Sequence, residues 1–595
     1  MGHFKINIKD IFFILKEQLS YGNLCSLDRY KGFNEKAFDL LVNEAMKFAK
    51  GIIDPLNMIG ETNAPKLAEG QVKCTPEFKK AFRQYGEDGW TALSRDTDYG
   101  GQGFPNMMRI IINDIMYGAC QAFNIAPNLT HGAAHLIETF GTKEQKSTYV
   151  PKMFDGKWAG TMCLTESDAG SNLSGIQTTA CPDGEQYKIK GFKIFISWGD
   201  HDLTDNIIHL VLARIEGAPK GSHGISLFIV PKMCVNPDGT LGEPNDVICT
   251  GIEEKMGLHA SPTASLSFGA RDNCIGYLCG RKNKGLSHMF QMMNAARINT
   301  GVSGLAIAST AYRNALVYAK TRIQGNDIGP QKKGRVTIIK HPDVRRMLLW
   351  MKAMVDGMRS MIYSGAYWAE MAEELPQSNE KNHYINLIEF MTPIIKAYCS
   401  DMGFKVCETA IQCLGGYGYC KDFPLEQYLR DVKIMSLYEG TNGIQAADLM
   451  GRKMTINNGA CFLAFKKELT LFCEKNRTDE ILGSRIRALK GVANNLFETA
   501  LTLNALQKKD PLQFASYTYP ALISFSEVTM VWRLLDMALV AQASLENTKK
   551  SQSFYKAKLL QASYFADMTL PLIQAGLETF VRPGREILDI ADNAF

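Results

Sequence analysis

The stretch Leu429 to Gly443, LRDVKIMSLYEGTNG, sets Glu439 behind Ile434, Met435, Leu437 and Tyr438 and before Gly440 and Gly443. A carboxylate held against apolar walls has its charged form disfavoured, and its proton affinity rises. That is the chemistry of a general base working near neutral pH. The same residues also fit a surface glutamate before a turn, so the reading needs a second stretch. Met162 to Gly175, MCLTESDAGSNLSG, supplies one, with short hydroxyl side chains and glycines beside a predicted strand. Such a loop offers N–H groups and hydroxyls to a polar ring edge or to phosphates. It is neither GxGxxG nor a P-loop, so nucleotide binding of those kinds is unsupported.

The elements that position these stretches come from a long chain. At 595 residues it exceeds what one core serves, which predicts three or four domains. A composition 46% hydrophobic and 21% charged is that of a soluble globular protein. A net charge of +5 is small for this length and gives no reason to invoke nucleic acid. Fifteen cysteines without a CxxC pair suggest neither a metal cage nor a disulfide framework, and point to a reducing, cytoplasmic compartment. The apolar run Ile11 to Leu15 is flanked by Lys9, Asp10, Lys16 and Glu17, too short for a signal peptide or a bilayer span. No other stretch approaches a membrane span, and a helix over about residues 8–19 is expected to pack on the protein, with membrane contact at most peripheral.

Residues 34–155 carry helical periodicity, interrupted by the loop DGWTALSRDTDYGGQGFP from Asp88. Between Trp158 and Cys279 the period changes. GFKIFIS, IIHLVLARI and GISLFIVP are β-branched, aromatic-rich and bounded by turn residues, predicting strands of a barrel or packed sheets. Helical pattern returns at Gly285. Val344, Met347, Leu348, Met351, Val355, Met358 and Ile362 mark one long helix face, and Leu387, Phe390, Ile394, Tyr398, Met402 and Val406 another, ended by Gly415-Gly416. Their methionines are core filler. Asn457-Asn458-Gly459 is the linker to a last helical block. The expected fold is α+β and multidomain: an N-terminal helical domain (1–156), a middle β-barrel-like domain (157–280), a four-helix bundle carrying Glu439 (281–456) and an additional C-terminal helical domain (457–595).

Six stretches, in order, resemble the acyl-CoA dehydrogenase flavoprotein family: LTESDAGS from Leu164, GFKIFISWG from Gly191, GLSHMFQMMNAARINTG ending at Gly301, YAKTRIQG ending at Gly325, QCLGGYGY from Gln412 and LRDVKIMSLYEGTNGIQ ending at Gln445. The helical tail, the DGW…DYGGQG loop and HPDVRRML at 341 resemble the larger bacterial subgroup, which includes methylmercaptopropionyl-CoA and broad long-chain enzymes. The resemblance implies FAD, an acyl-CoA substrate, α,β-dehydrogenation and electron-transfer flavoprotein as acceptor. It makes Glu439 the base. Leu164 and Thr165 would meet the flavin's pyrimidine side, Phe195 its ring, Ser197 its N5 and Thr441 the flavin again. Ser171 would meet the cofactor pyrophosphate or the pantetheine arm. Arg322, Gln324, Gln412, Gly415 and Gly416 match residues that reach the FAD of a neighbouring subunit, so at least a homodimer is expected. Asn294 and Arg297 match the acyl-CoA channel, and Gly440 adjoins the substrate.

The departures from the family pattern are specific. The family's second base position is Ala296, which leaves Glu439 alone. Asn442-Gly443 replaces the usual pair after EGT. Phe195 stands where Trp is commoner, and RIQG is a shortened run. Arg452 lies one position late for the usual arginine and receives no role. Two other readings share the motifs: an acyl-CoA oxidase, and an inactive flavin-binding relative. Retention of Glu439 speaks against the second. Acyl-chain length is not legible, because several helices build the pocket walls.

Overall fold

Periodicity of burial sorts this chain into its elements. A computed structural model describes residues 3–330, 334–581 and 584–595. They form two compact units that do not follow chain order: residues up to Phe4 with Asp39–Ala296, and Lys5–Phe38 with Arg297–Phe595.

In the first unit α1 (Asn106–Ala119) and α2 (Gln121–Phe140) are separated only by extended Cys120. The sequence pattern suggests two short helices around Gly141. The structure instead runs α2 for 20 residues to Phe140 and starts α3 (Lys143–Phe154) on a capping box between Thr142 and Gln145. The strands of the main sheet are β1 (Trp158–Cys163), β2 (Thr179–Asp183), β3 (Gln186–Ser197), β4 (Asn206–Ile215), β5 (Ile225–Pro231), β6 (Val247–Ile252), β7 (Thr263–Phe268) and β8 (Ile275–Leu278). They make one eight-stranded sheet in the order β6-β7-β3-β8-β5-β4-β1, with β2 paired to both β3 and β4. Pairs β1–β4 and β2–β4 are parallel and the others antiparallel. β5 is buried along its whole length, so it is apolar without alternation. Helix α2 lies on β1, where Gly160 N–H donates to Thr130 at 3.1 Å.

In the second unit α4 (Gly285–Thr321, from Arg297 on), α5 (Pro342–Glu374) and α6 (Asn379–Leu414) are the long helices, with α7 (Leu425–Val432) and α8 (Asn442–Ala447) following. The predicted faces of α5 and α6 are buried apart from half-buried Val344 and Met402, and Gly415 is the C-cap of α6. α4 crosses α6 closely. A Cβ on Gly304 would stand 2.5 Å from the carbonyl oxygen of Cys399. The last block holds α9 (Ile456–Asn476), α10 (Gly483–Lys509), α11 (Pro511–Asn547) and α12 (Gln552–Val581). Asn457, Asn458 and Gly459 are all left-handed, which breaks the chain where the linker is expected.

Two findings differ from the sequence pattern. Helix α11 has the length and composition to cross a bilayer, against the expectation that no such stretch exists, yet 61% of its most apolar window is buried. It is a core helix, packed against α12, α10 and α5. Residues 5–38 also belong with the second unit rather than with the N-terminal helices. Ile11, Phe13, Ile14 and Leu15 are buried there, and Asp10 accepts from Lys558 at 2.8 Å.

Candidate active site

After α7 a short 3₁₀ turn, Lys433–Ser436, delivers the backbone to Glu439. Glu439 and Gly440 are both left-handed, with φ 56° and 80°. For a glutamate this costs about 1–2 kcal/mol, and such strain persists only where surroundings fix it. Here they do. Gln445 Nε2 donates to the carbonyls of Glu439 at 3.2 Å and Gly440 at 3.3 Å. Lys396, from α6, donates to the Gly440 carbonyl at 2.8 Å and to Asn442 Oδ1 at 2.9 Å. Asn442 Nδ2 donates to the Ala397 carbonyl at 3.2 Å and to Ser400 Oγ at 3.0 Å. Thr441 caps α8 by accepting from Ile444 N–H at 3.3 Å. A Cβ on Gly440 would lie 2.9 Å from Gln445 Nε2, so a side chain there would displace the amide that holds the turn.

The Glu439 side chain is half-buried. Burial pushes its carboxyl up to about 7, while Arg297 and Lys396 pull it down. Arg297 is buried and pairs with Asp448 at 3.5 Å, and Asp448 also binds Arg452 at 2.6 Å. The site is therefore a carboxyl in the field of two buried cations, poised to exchange a proton near neutral pH. Asn294 sits one turn before Arg297 on α4 and is half-buried.

A second cluster in the same unit lines a cavity of about 730 Å³. It gathers Arg322, Gln324, Gln412, Gly415 and Gly416, with Tyr318, His341 and Tyr417. The Arg322 guanidinium lies 5.6 Å from the centre of the Tyr417 ring, a cation–π contact.

In the first unit the loop after β1 is clamped to β3. Fully buried Lys193 donates to the Leu164 carbonyl at 3.0 Å and to Glu166 at 2.8 Å. Glu166 also accepts from Gln177 N–H at 2.6 Å, Thr178 N–H at 3.1 Å and Thr178 Oγ1 at 2.6 Å. Burial pushes Glu166 up, but Lys193 and these hydrogen bonds hold it below the usual carboxylate range. Ile194 N–H donates to the Thr165 carbonyl at 3.0 Å. Leu164, Thr165 and Ser197 are half-buried and Ser171 is exposed. Phe195 is left-handed, φ 57°, and 60% exposed, an apolar ring held outward on a constrained backbone.

Sequence reasoning passed over Lys193 and Glu166, and over Lys396, Gln445 and Asp448. The first two lie inside quoted motifs. Lys396 gave a signal as the only charge in the apolar run from Phe390 to Ser400. Arg452, left without a role, binds Asp448.

Family models match along the chain in order: acyl-CoA dehydrogenase N-terminal domain at residues 57–157, middle domain at 161–270 and C-terminal domain at 283–454, then an acetyl-CoA dehydrogenase C-terminal-like domain at 465–591. The 3-methylmercaptopropionyl-CoA dehydrogenase of Ruegeria pomeroyi is 35% identical over 95% of this chain and 95% of its own. A butyryl-CoA dehydrogenase of Syntrophomonas wolfei is 35% identical over 99% and 98%. An acyl-CoA dehydrogenase from Bacillus anthracis, solved with FAD, shares the fold with TM-score 0.73 at 20% identity, over 96% of this chain and 91% of that one. The near full-length match to relatives at this identity, with the family's domains in their order, places the chain in the acyl-CoA dehydrogenase family, FAD-dependent oxidoreductases that act on acyl-CoA thioesters.

Proposed function

We propose that the chain catalyses α,β-dehydrogenation of acyl-CoA thioesters to trans-2-enoyl-CoA, with Glu439 as the base that takes the α proton. The observation that carries this is the half-buried Glu439 carboxyl beside Arg297 and Lys396, with its proton exchange near pH 7. An α C–H next to a thioester is a weak acid, so a base matched to neutral pH and shielded from water contributes about 10²–10⁴-fold. Arg297 and Asn294 line the acyl-CoA channel and Gly440 adjoins the thioester. Ala296 has no proton-accepting group, so the base role falls to Glu439.

The residues present fit FAD. The cavity of about 730 Å³ carries a guanidinium and two carboxamides, a donor set suited to a diphosphate. Arg322, Gln324, Gln412, Gly415 and Gly416 would hold the FAD of a second copy, which makes the protein at least a homodimer. Leu164 and Thr165 would offer main-chain and hydroxyl groups to the flavin's polar edge, Phe195 its face, and Ser197 and Thr441 hydroxyls. Ser171 would reach the pyrophosphate or the pantetheine arm. When bound, FAD supplies the acceptor for the hydride that leaves the β carbon. Electron-transfer flavoprotein is the proposed oxidant and the cytoplasm the proposed compartment, supported by fifteen free thiols. The pairing of β2 with both β3 and β4 supports a barrel-like middle domain.

Anaerobic mixing with acyl-CoAs of graded chain length, read by flavin absorbance, tests the activity. Bleaching is expected with wild type. E439Q should retain FAD and reduce about 10²–10⁴-fold more slowly. Unchanged reduction by E439Q would end the assignment of the base. Reoxidation by air faster than by the flavoprotein acceptor would make the enzyme an oxidase.

A further inference from the structure

We propose that Lys396 is a positioning residue for Glu439, tying the carbonyl of the strained turn to Asn442 and supplying the positive charge behind the carboxyl. This rests on Glu439 being the base. Lys396 is fully buried on α6, and its two hydrogen bonds go to neutral acceptors, the Gly440 carbonyl and Asn442 Oδ1. Neither acceptor carries a charge, so the field of the buried ammonium falls on what surrounds it. An ammonium taken out of water without a directly bonded anion is costly, and a fold keeps one where the charge serves a neighbour. The neighbour here is Glu439.

The charged groups around the pair are few. Arg297 faces Glu439 from α4, with its own charge paired to Asp448, a carboxylate it shares with Arg452. Asp401, on α6 itself, also favours the charged form of Lys396, and Arg297 opposes it. Tyr438, next in the chain to Glu439, is held neutral by burial and by that carboxyl. Helix α8 carries no charged side chain, and on α11 Glu527 faces Tyr398. Burial lowers the Lys396 ammonium to about 8, while Glu439 holds it up. Below that pH the charge is present and favours proton loss from Glu439. Above it the influence fades.

Asn442 explains why the turn tolerates an ammonium so close. Its Oδ1 accepts a hydrogen bond from Lys396, while its Nδ2 is committed to Ala397 and Ser400, so the amide orientation is fixed by three residues of α6. Asn442 is thus the clip that seats Lys396 against the Gly440 carbonyl.

The test is the pH profile of anaerobic flavin reduction together with a carboxyl titration by difference infrared, in which the Glu439 band is the one lost in E439Q. K396M should move both the ascending limb and the carboxyl titration to higher pH, with reduction about ten-fold slower at pH 6 and converging on wild type above pH 9. K396R should restore the wild-type limb. If K396M does not fold, K396Q keeps a donor to the turn and removes only the charge, and should give the same shift. A variant whose limb and infrared titration superimpose on wild type, with rate lowered equally at every pH, would overturn the role of Lys396 and leave Glu439 as base. Full activity in E439Q would remove the base itself, a different failure.

Discussion

Glu439 pairs a raised proton affinity with a strained backbone, and each has a measurable consequence. Its carboxyl moves from the usual 4.5 to about 7 on folding, chiefly through burial. The folded state therefore holds a proton that the unfolded chain releases between those values, and stability falls as pH rises through that window. E439Q should have a higher Tm than wild type at pH 8 and an equal one near pH 4.5, read by calorimetry. The rate of reduction should run the opposite way, rising with pH to a plateau above about 7, since only the ionised carboxyl accepts a proton.

At the scale of elements, two buried contacts set where the chemistry sits. Lys193 holds the loop after β1 through the Leu164 carbonyl and Glu166. K193M leaves a buried carboxylate unpaired, a loss of about 3–5 kcal/mol in urea unfolding. FAD affinity should fall with it, because the loop loses its anchor. The α4–α6 crossing is the second contact. Gly304 faces the Cys399 backbone, three residues along from Lys396 on the same helix. G304A should cost about 1–3 kcal/mol by overpacking a backbone that has no rotamer to yield. The displaced α4 carries Arg297, so G304A should also shift the pH limb of reduction.

Across the whole second unit, the N-terminal segment, α5 and α12 meet in one buried charge cluster. Lys558 donates to Asp10 at 2.8 Å and to Asp356 at 2.7 Å, and Lys352 binds Asp356 at 2.8 Å. Burial and Asp356 push Asp10 up, yet Lys558 and Lys352 outweigh them and leave it below the usual range. Burial also pushes Asp356 up, and the same two lysines bring it far down. Carboxyls depressed in the folded state add stability that is present above their unfolded values and lost as pH falls through the folded ones. K558M should therefore cost about 3–5 kcal/mol at neutral pH and less near pH 3, where the carboxyls that have lost Lys558 can take up protons in the variant. Equal losses at both pH values would show that packing, not charge, governs the cluster.

The sequence by itself determined the family's motifs and most of the elements. Glu439 with its glycines, the hydroxyl-rich loop and the faces of α5 and α6 were legible, because turn residues and helical periodicity are local properties. What tertiary structure alone decided is which distant groups meet. Lys396 is 43 positions from Glu439, Lys193 is 29 from Leu164, and Asp10 is 548 from Lys558 in the chain. A lysine in sequence is a solvated cation by default. Only a fold that removes its water and points it at a particular carbonyl or carboxyl gives it a task.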